Sequence, residues 1–271
     1  MGVTIRVGGD YSLDMTDYDL DLSSMGNVYI SSYNKTTISG YVGSLKVVIN
    51  GKGFSYSDDG LVGGTVTGFT EKYGSSLYAS VSGLNLSVKT IIKLAESGSE
   101  NAIKSAVKTA LAGADDIYGS NSSDVLFGYS GNDTISGNRG NDRLVGGAGN
   151  DKLIGGIGAD ALLGEGGKDT FVYKTVNESS AQLGIDTIFD FSGAGGDRID
   201  LSGIDANTKT AKNDGFSFVG SKAFSGTAGE LRVEKQASDT YVYGDTNGDK
   251  VADFQLHFDD PIVMSKGFFI L

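Results

Sequence analysis

Apolar and polar residues alternate in short runs over residues 1–86, and Gly, Asn and Asp separate the runs. Alternation with a period of two indicates strands with one buried face, and the separating residues are typical of turns. The clearest strands are VTIRV, NVYISSY, SLKVVI, GTVTGF and SLYASVSGLNL. The pattern therefore predicts an antiparallel β domain of about eight strands.

The period changes to that of a helix over residues 87–111, where apolar residues recur at intervals of three and four. Ser97 and Glu100 form an S-x-x-E start signal ahead of the apolar face. We therefore predict an amphipathic helix over 99–111, preceded by a shorter one around Ile91. We expect the longer helix to cover the open strand edge of the unit that follows.

A nine-residue pattern then repeats seven times between Ala110 and Val172. The eighth position of every copy is apolar and is occupied by Ile117, Leu126, Ile135, Leu144, Leu153, Leu162 and Phe171. The sixth position of every copy is Asp, namely Asp115, Asp124, Asp133, Asp142, Asp151, Asp160 and Asp169. Gly-rich segments between short strands are turns, so two copies form one coil, and the coils stack as parallel strands with the eighth side chains inside.

Residues 173–271 lose this period and return to alternating runs such as DTIFDF, ELRVE, TYVYG and DFQLHF. The predicted fold class is therefore mainly β. Its parts are an antiparallel domain in 1–86, a helical connector in 87–111, a parallel β-roll in 112–172 and a C-terminal β cap in 173–271.

Composition narrows the possible chemistry. The chain has 42 Gly in 271 residues but is 39% hydrophobic, which favours an ordered, turn-rich protein. It has no Cys and a single His, which exclude disulfides, thiolate metal sites and three-histidine zinc sites, and it contains neither HExxH nor GxSxG. The net charge of −12 disfavours nucleic acids and anionic membranes as partners and favours cations.

Long apolar segments are also missing from the sequence. We therefore expect no transmembrane segment and no N-terminal signal peptide of the common kind, and a pore-forming toxin is disfavoured.

The repeated Asp explains why cations matter. Stacked coils place the Asp of one turn about 5 Å from the Asp two copies away, where two carboxylates repel by about 3 kcal/mol at an effective dielectric near 20. Ca²⁺ reverses this repulsion, because it accepts six to eight oxygen ligands, including carbonyls that glycine turns can bend inward. Mg²⁺ requires strict octahedral geometry and fits poorly. The sequence therefore predicts a row of calcium sites.

This array resembles the RTX family, whose nonapeptide GGxGxDxUx forms a calcium-binding parallel β-helix. The resemblance implies that each ion is held by the second and fourth carbonyls and the sixth-position Asp of one turn, together with the first, third and fifth positions of the turn two copies later. It implies about five ions. The pairs are the Asp115 turn with Gly128, Ser130 and Asn132; the Asp124 turn with Gly137, Arg139 and Asn141; the Asp133 turn with Gly146, Ala148 and Asn150; the Asp142 turn with Gly155, Ile157 and Ala159; and the Asp151 turn with Gly164, Gly166 and Lys168.

Three departures from the RTX pattern weaken particular sites. Ser122 replaces the fourth-position Gly of the second copy, and Lys168 places a cation where Asn would otherwise stand. The first copy begins with Ala110 and Leu111, which form the end of the predicted helix. We therefore expect the middle sites to be the strongest.

Residues 112–271 resemble the C-terminal domain of serralysin-type secreted metalloproteases, and the segment DRIDLS resembles the R modules of secreted alginate epimerases. The protease's zinc motif is absent. The resemblance implies an extracellular protein exported by a type I ABC exporter that recognises an uncleaved C-terminal signal. The final segment SKGFFIL ends in apolar residues, as such signals do, but lacks the acidic residue that precedes them in the protease tails.

Other candidate residues lie in the cap. Asp245, Asn247, Asp249 and Asp253 have the spacing of an EF-hand-like loop and predict a further calcium site. An ordinary Asn-Gly turn is an equal alternative, because Lys250 stands where EF-hands require Gly.

Four further acids, Asp186, Asp190, Asp197 and Asp200, could lengthen the rows of ligands, although half-exposed strand-end acids are the favoured interpretation. We interpret His257 as a strand residue and not as a catalyst.

Two functions from different classes remain open. The first is a non-enzymatic secreted protein whose N-terminal domain binds a surface, matrix or polysaccharide. The second is a polysaccharide-degrading glycosidase or lyase that uses N-terminal carboxylates. Its candidate acids are Asp10, Asp14, Asp17, Asp19, Asp21, Asp58 and Asp59. We favour the first function, because zinc, nucleophile and histidine motifs are missing from the sequence.

Overall fold

A computed structural model describes residues 4–7, 29–34, 36–42, 45–57, 60–73, 76–87, 89–91, 93 and 100–271. These residues are mainly β, as predicted. In chain order the strands are β1 (Thr4–Val7), β2 (Tyr29–Tyr33), β3 (Thr37–Val42), β4 (Leu45–Ser57), β5 (Gly60–Tyr73), β6 (Ser76–Ser87), β7 (Asp116–Tyr118), β8 (Val125–Phe127), β9 (Thr134–Arg139), β10 (Arg143–Ala148), β11 (Lys152–Ile157), β12 (Ala161–Gly166), β13 (Thr170–Val172), β14 (Asp186–Ile188), β15 (Arg198–Asp200), β16 (Ser217–Gly220), β17 (Glu230–Lys235), β18 (Thr240–Asp245), β19 (Phe254–Phe258) and β20 (Phe269–Ile270).

Helix α1 spans Glu100–Ala110, as the helical period predicts, and 3-10 turns span Val176–Glu178 and Lys266–Phe268. Residues 89–91 and 93 are also helical. The predicted start signal at Ser97 lies outside the described residues.

The strands form two sheets that follow the repeat. Alternate copies contribute β7, β9, β11 and β13 to one sheet and β8, β10 and β12 to the other. Neighbouring roll strands within each sheet are parallel and offset by two copies, so that Leu144 pairs with Leu162 and Leu153 with Ile135. One coil therefore consists of two copies, as predicted.

The core of the roll is the set of eighth-position side chains. All seven have no exposed surface: Ile117, Leu126, Ile135, Leu144, Leu153, Leu162 and Phe171. Pairing extends one stack to Ile199 and the other to Ile188 and Phe258, so the core continues past the last repeat. The predicted inward seam is confirmed.

We expect Ile135→Val to lower the free energy of unfolding by about 0.5–1.5 kcal/mol, because it removes one methylene from a site with no exposed surface. Chemical denaturation of the calcium-loaded chain measures the change. The neighbouring Ile154 is only half buried, so Ile154→Val serves as the control and should cost less. Equal costs at the two positions would contradict the inward orientation of the eighth-position side chains.

The N-terminal strands are continuous with the roll. Strand β1 pairs antiparallel with β6 and parallel with β7. It therefore connects the N-terminal strands β2–β6 with the odd-numbered strands of the roll, and together they form one 12-stranded sheet. The prediction that the helix covers this strand edge is wrong, because β1 occupies it. Helix α1 instead places Val107 against the core, and Leu111 follows it with 3% of its surface exposed.

The other end of the roll is closed by the cap. Strands β14 and β19 extend the eight-stranded sheet, and the β17–β18–β19 meander continues it. Phe191 fills the interior with ring contacts to Phe171, Phe258 and Phe268 at centroid distances of 6.1, 5.4 and 5.8 Å. The core thus ends in aromatic side chains instead of an open coil.

Candidate metal centre

Glycine sets the shape of the turns that carry the Asp residues. From the third copy onward the fourth-position glycines adopt positive φ, for example +143° at Gly149, and a Cβ there would overlap the carbonyl oxygen of Gly131 in the previous coil. A side chain at this position is therefore excluded both by backbone strain and by close stacking of the turns.

The sixth-position Asp residues are joined by a hydrogen-bond ladder. The amide N–H of Asp133 donates to Oδ1 of Asp151 at 2.8 Å, and the Asp151 amide donates in turn to Asp169 at 2.9 Å. On the other edge, Asp124 donates to Asp142 and Asp142 to Asp160, each at 2.8 Å. Every such bond spans 18 residues, so Oδ1 fixes the stacking of coils.

The second carboxylate oxygen has a different environment. Among the described residues, Oδ2 is buried and has no hydrogen-bond donor in Asp133, Asp142, Asp151, Asp160 and Asp169. Each of these residues has no more than 2% of its surface exposed. A buried anionic oxygen without a donor is costly unless a cation neutralises it, and these residues therefore satisfy the first requirement of a metal site.

Main-chain carbonyl oxygens lie near the Oδ2 atoms of several sixth-position Asp residues. A Cβ at Gly119 would lie 2.6 Å from both Oδ2 of Asp124 and the carbonyl oxygen of Gly137, so these two oxygens border the same space, which the glycine leaves open. The same pairing recurs beside Gly128, with Asp133 and the Gly146 carbonyl, and beside Gly137, with Asp142 and the Gly155 carbonyl. The structure thus brings together the sixth-position Asp and its predicted first-position partner at three of the five expected sites.

The third-position carbonyls take part in stacking. Those of Ala148, Ile157 and Gly166 accept backbone N–H bonds from the fourth-position glycines of the previous coil, at 2.8, 3.0 and 2.7 Å. A carbonyl has two lone pairs, so each could still ligate an ion.

The fifth-position side chains form a second ladder that the sequence analysis missed. Oδ1 of Asn132 accepts from the Asn150 amide at 2.7 Å, and Oδ1 of Asn150 accepts from the Lys168 amide at 2.9 Å. On the other edge, Oδ1 of Asn141 accepts from the Ala159 amide at 3.0 Å. The recurrence of Asn at this position was the available signal. The side chains of Arg139 and Lys168 are exposed.

The ladder begins at a modified turn. Oδ2 of Asp124 accepts from the backbone and side chain of Ser120, at 2.6 and 3.0 Å, so this Asp is already partly satisfied. Ser120, which stands at the second position where the repeat pattern has Gly, therefore alters this site in addition to the expected Ser122.

The ladder also continues beyond the last repeat. Asp160 donates to Asp186 and Asp169 donates to Asp197, each at 2.9 Å across 26 and 28 residues. Asp186 is fully buried and Asp197 is 4% exposed, so their interpretation as half-exposed strand-end acids is wrong. Asp190 accepts from the amides of Gly164 and Glu165, while Asp200 is half buried and accepts locally from Ser202.

Burial raises the pKa of the ladder carboxylates above the ordinary value of 3.8. The pKa rises to about 7 in Asp133, Asp142 and Asp169 and to about 6 in Asp160. Neighbouring carboxylates add to the effect of burial, for example Asp151 and Asp115 at Asp133, while the backbone N–H opposes it. Without a cation, the folded roll therefore resists full ionisation at neutral pH.

We expect the calcium-depleted chain to be more stable at pH 5 than at pH 8. Folding raises these pKa values, so the folded state binds more protons than the unfolded state between about pH 4 and pH 7. Stability is then highest below the unfolded pKa and is lost as pH rises through the folded pKa. Thermal unfolding in calcium-depleted buffers measures this, and a melting temperature that rises from pH 5 to pH 8 would contradict it.

The EF-hand-like loop connects β18 to β19. Asp245 is fully buried and accepts the amides of Gly248 at 2.6 Å and Lys250 at 2.9 Å. Asp253 accepts from Thr246 and from the Asn247 side chain, and Asp249 from the Val251 amide. These oxygens already hold the loop as a hydrogen-bonded turn, and a calcium site at 245–253 stays a prediction.

The remaining candidates lie apart from the rows. His257 is in β19, as expected of a strand residue. The acids proposed for a glycosidase or lyase, from Asp10 to Asp59, lie outside the described residues. In the described part of the chain, no helix is both long and apolar enough to cross a membrane.

Comparison with known proteins gives one family match and several similar solved structures. Residues 116–269 match the family model described as peptidase M10 serralysin C terminal. Among solved structures, the R2 subunit of a mannuronan C5-epimerase from Azotobacter vinelandii is 26% identical over 58% of this chain and 92% of that chain, with a TM-score of 0.43. The R3 subunit is 24% identical over 58% and 78%, with a TM-score of 0.26. Comparison with curated proteins gives no match.

Proposed function

Since the chain belongs to the peptidase M10 serralysin C-terminal family over residues 116–269, we propose that it is a secreted RTX protein that folds around Ca²⁺ outside the cell. The observation that carries this proposal is the pair of Asp rows, in which the buried Oδ2 atoms of Asp133, Asp142, Asp151, Asp160 and Asp169 lack donors among the described residues. Such rows are self-repelling without cations and become stabilising when dications neutralise them.

The ligands would be the Oδ2 atoms of the rows and the main-chain oxygens of the turns. Bound Ca²⁺ supplies positive charge between successive turns. Asp133, Asp142 and Asp151 lie in the middle of the rows, where each turn has a stacked turn on both sides. We assign about five ions to the repeats, with Asp186 extending one row and the 245–253 loop as a further candidate.

Calcium would act as the signal that export is complete. A chain passing a type I exporter is unfolded, and a cytosol poor in free Ca²⁺ leaves the rows uncompensated. Strand β20 (Phe269–Ile270), within the proposed C-terminal signal, pairs with β15 of the roll. The exporter would therefore bind the C-terminal segment before folding incorporates it into the sheet.

We assign binding of a cell surface, matrix or polysaccharide to residues 1–86, with no catalysis. The pairing of β1 with β7 supports a link between this role and calcium, because β7 is the first strand of the roll. Folding of the roll supplies the edge on which β1 pairs. We therefore expect binding by the N-terminal strands to depend on Ca²⁺.

The test is to incubate the full chain with acidic and neutral polysaccharides in millimolar Ca²⁺, and again with a chelator. Retention of the protein and release of new chain ends are recorded together. Calcium-dependent retention without new ends is the expected result. Release of ends would overturn the binding role and favour the glycosidase or lyase alternative.

A matched control uses the chain with Asp151→Asn, which alters the rows but not residues 1–86. If retention follows the calcium-driven fold, this variant should need more Ca²⁺ for the same retention. Retention that is unchanged by both chelator and substitution would contradict the coupling of binding to the roll.

A further inference from the structure

Three side chains outside the Asp rows meet at one end of the β18–β19 hairpin. Asp239 precedes β18, His257 lies in β19 and Asp259 follows β19, and their ligand atoms all lie within 4.8 Å of one another. We infer that these residues form a site for a transition-metal dication such as Zn²⁺. This site is separate from the calcium rows and does not depend on the proposed function.

The hairpin places the three residues on one face. Tyr241 lies opposite His257 in the antiparallel register, and alternation along the strands puts Asp239 and Asp259 on the same side. The opposite face carries the fully buried Val242, Leu256 and Phe258. The cluster is therefore fixed to the rigid core but open to solvent, with 22% of the His257 side chain and 24% of the Asp239 side chain exposed.

The imidazole of His257 is held in one orientation. Its Nδ1 lies 3.0 Å from Oγ1 of Thr187 on the neighbouring strand β14, and its ring stacks on Tyr241 at a centroid distance of 4.9 Å. Nε2 therefore points to the carboxylates and lies 2.9 Å from Oδ1 of Asp239. A histidine that ligates a metal usually has its other nitrogen fixed by such a hydrogen bond.

The charges around the cluster favour a cation. Carboxylate oxygens of Asp239 and Asp259 lie within 4.8 Å of each other, where like charges repel. Within the described residues, the ion pairs at 4.0 Å or less are Arg232–Glu234 and His257–Asp239, so neither carboxylate has a Lys or Arg partner. Hydrogen bonds from Ser238 and His257 lower the pKa of Asp239, which stays ionised.

The donor set selects the class of metal. One imidazole nitrogen and two carboxylate oxygens suit Zn²⁺ and similar first-row dications, whereas Ca²⁺ takes oxygen ligands. Ligand distances of about 2.1 Å require ligand atoms about 3.4 Å apart in a tetrahedral site, so the exposed Asp259 would move inward. A metal at Nε2 would displace the proton of that nitrogen to solvent, and Nδ1 would carry the ring's remaining N–H and donate it to Oγ1 of Thr187, whose hydroxyl can accept or donate.

The test titrates ZnCl₂ into the full chain by calorimetry in saturating, millimolar Ca²⁺, so that the rows are filled. We expect one zinc ion per chain with micromolar or tighter affinity. His257→Gln should weaken binding at least about tenfold, and Thr187→Val, which removes the orienting hydroxyl, by about tenfold or more. Asp260→Asn, which removes the negative charge of an adjacent exposed acid outside the cluster, should leave binding unchanged.

A second measurement uses the native sequence, so it does not depend on the folding of a variant. His257 is the only histidine of the chain, and Cu²⁺ bound at this site should show coupling to one imidazole nitrogen by electron paramagnetic resonance. Absence of that coupling, absence of a zinc site at micromolar concentration, or zinc binding unaffected by His257→Gln would each overturn the inference.

Discussion

Chelation of Ca²⁺ is expected to unfold the roll of the full chain, and millimolar Ca²⁺ to refold it. An ion that binds only the folded state stabilises it by about 2.7 kcal/mol when its concentration is a hundredfold above Kd, so five sites contribute about 14 kcal/mol. That lies near the upper end of the whole stability of a typical domain, which is about 5–15 kcal/mol. Circular dichroism and calorimetry across a calcium titration measure the transition, with tyrosine fluorescence as a further probe because the chain has no Trp.

The ion specificity provides the control. Mg²⁺ at the same concentration should restore little structure, because it requires octahedral geometry and keeps its own water. The transition should also be steep in Ca²⁺, since stacked coils share their turns. Equal melting temperatures in the presence and absence of Ca²⁺ would contradict the assignment of the rows as calcium sites.

The repeat made the roll predictable. The eighth-position apolar residues and sixth-position Asp recur without an exception, and a period that survives seven copies leaves one stacking register that buries every apolar side chain. The fully buried Leu153 and the Asp133–Asp151 ladder follow from the same register. Local chemistry was therefore sufficient for the fold of this segment.

Other features depend on contacts that no local period reveals. Asp186 and Asp197 join the rows across 26 and 28 residues instead of 18, because longer connections separate them from the preceding Asp. The pairing of β1 with β7 joins residues more than a hundred positions apart, and His257 meets Thr187 across 70. The Oδ1 ladder was missed because a sequence gives the spacing of carboxylates but not which oxygen takes the backbone N–H.

Asp151→Asn is expected to have opposite effects with and without Ca²⁺. The Asn side chain keeps an Oδ1 that can accept the Asp133 amide, but it replaces the unpartnered Oδ2 with an NH₂ group. In Ca²⁺, losing a charged ligand beside a buried cation should cost about 3–5 kcal/mol. In calcium-depleted buffer, the same change removes a buried carboxylate whose pKa is raised mainly by burial, so it should stabilise the folded chain.

The inversion of sign separates a metal ligand from a structural hydrogen-bond acceptor. If Asp151 only fixed the stacking, its replacement by Asn would change the unfolding free energy by the same amount in both buffers, because the contact with the Asp133 amide does not involve the ion. Asp116→Asn is the matched control, since Asp116 is exposed in β7 and outside the rows, and it should change the unfolding free energy by no more than about 0.5 kcal/mol in either buffer. Denaturant unfolding of both variants in the two buffers measures all four values. Equal destabilisation by Asp151→Asn with and without Ca²⁺ would remove this carboxylate from the set of calcium ligands.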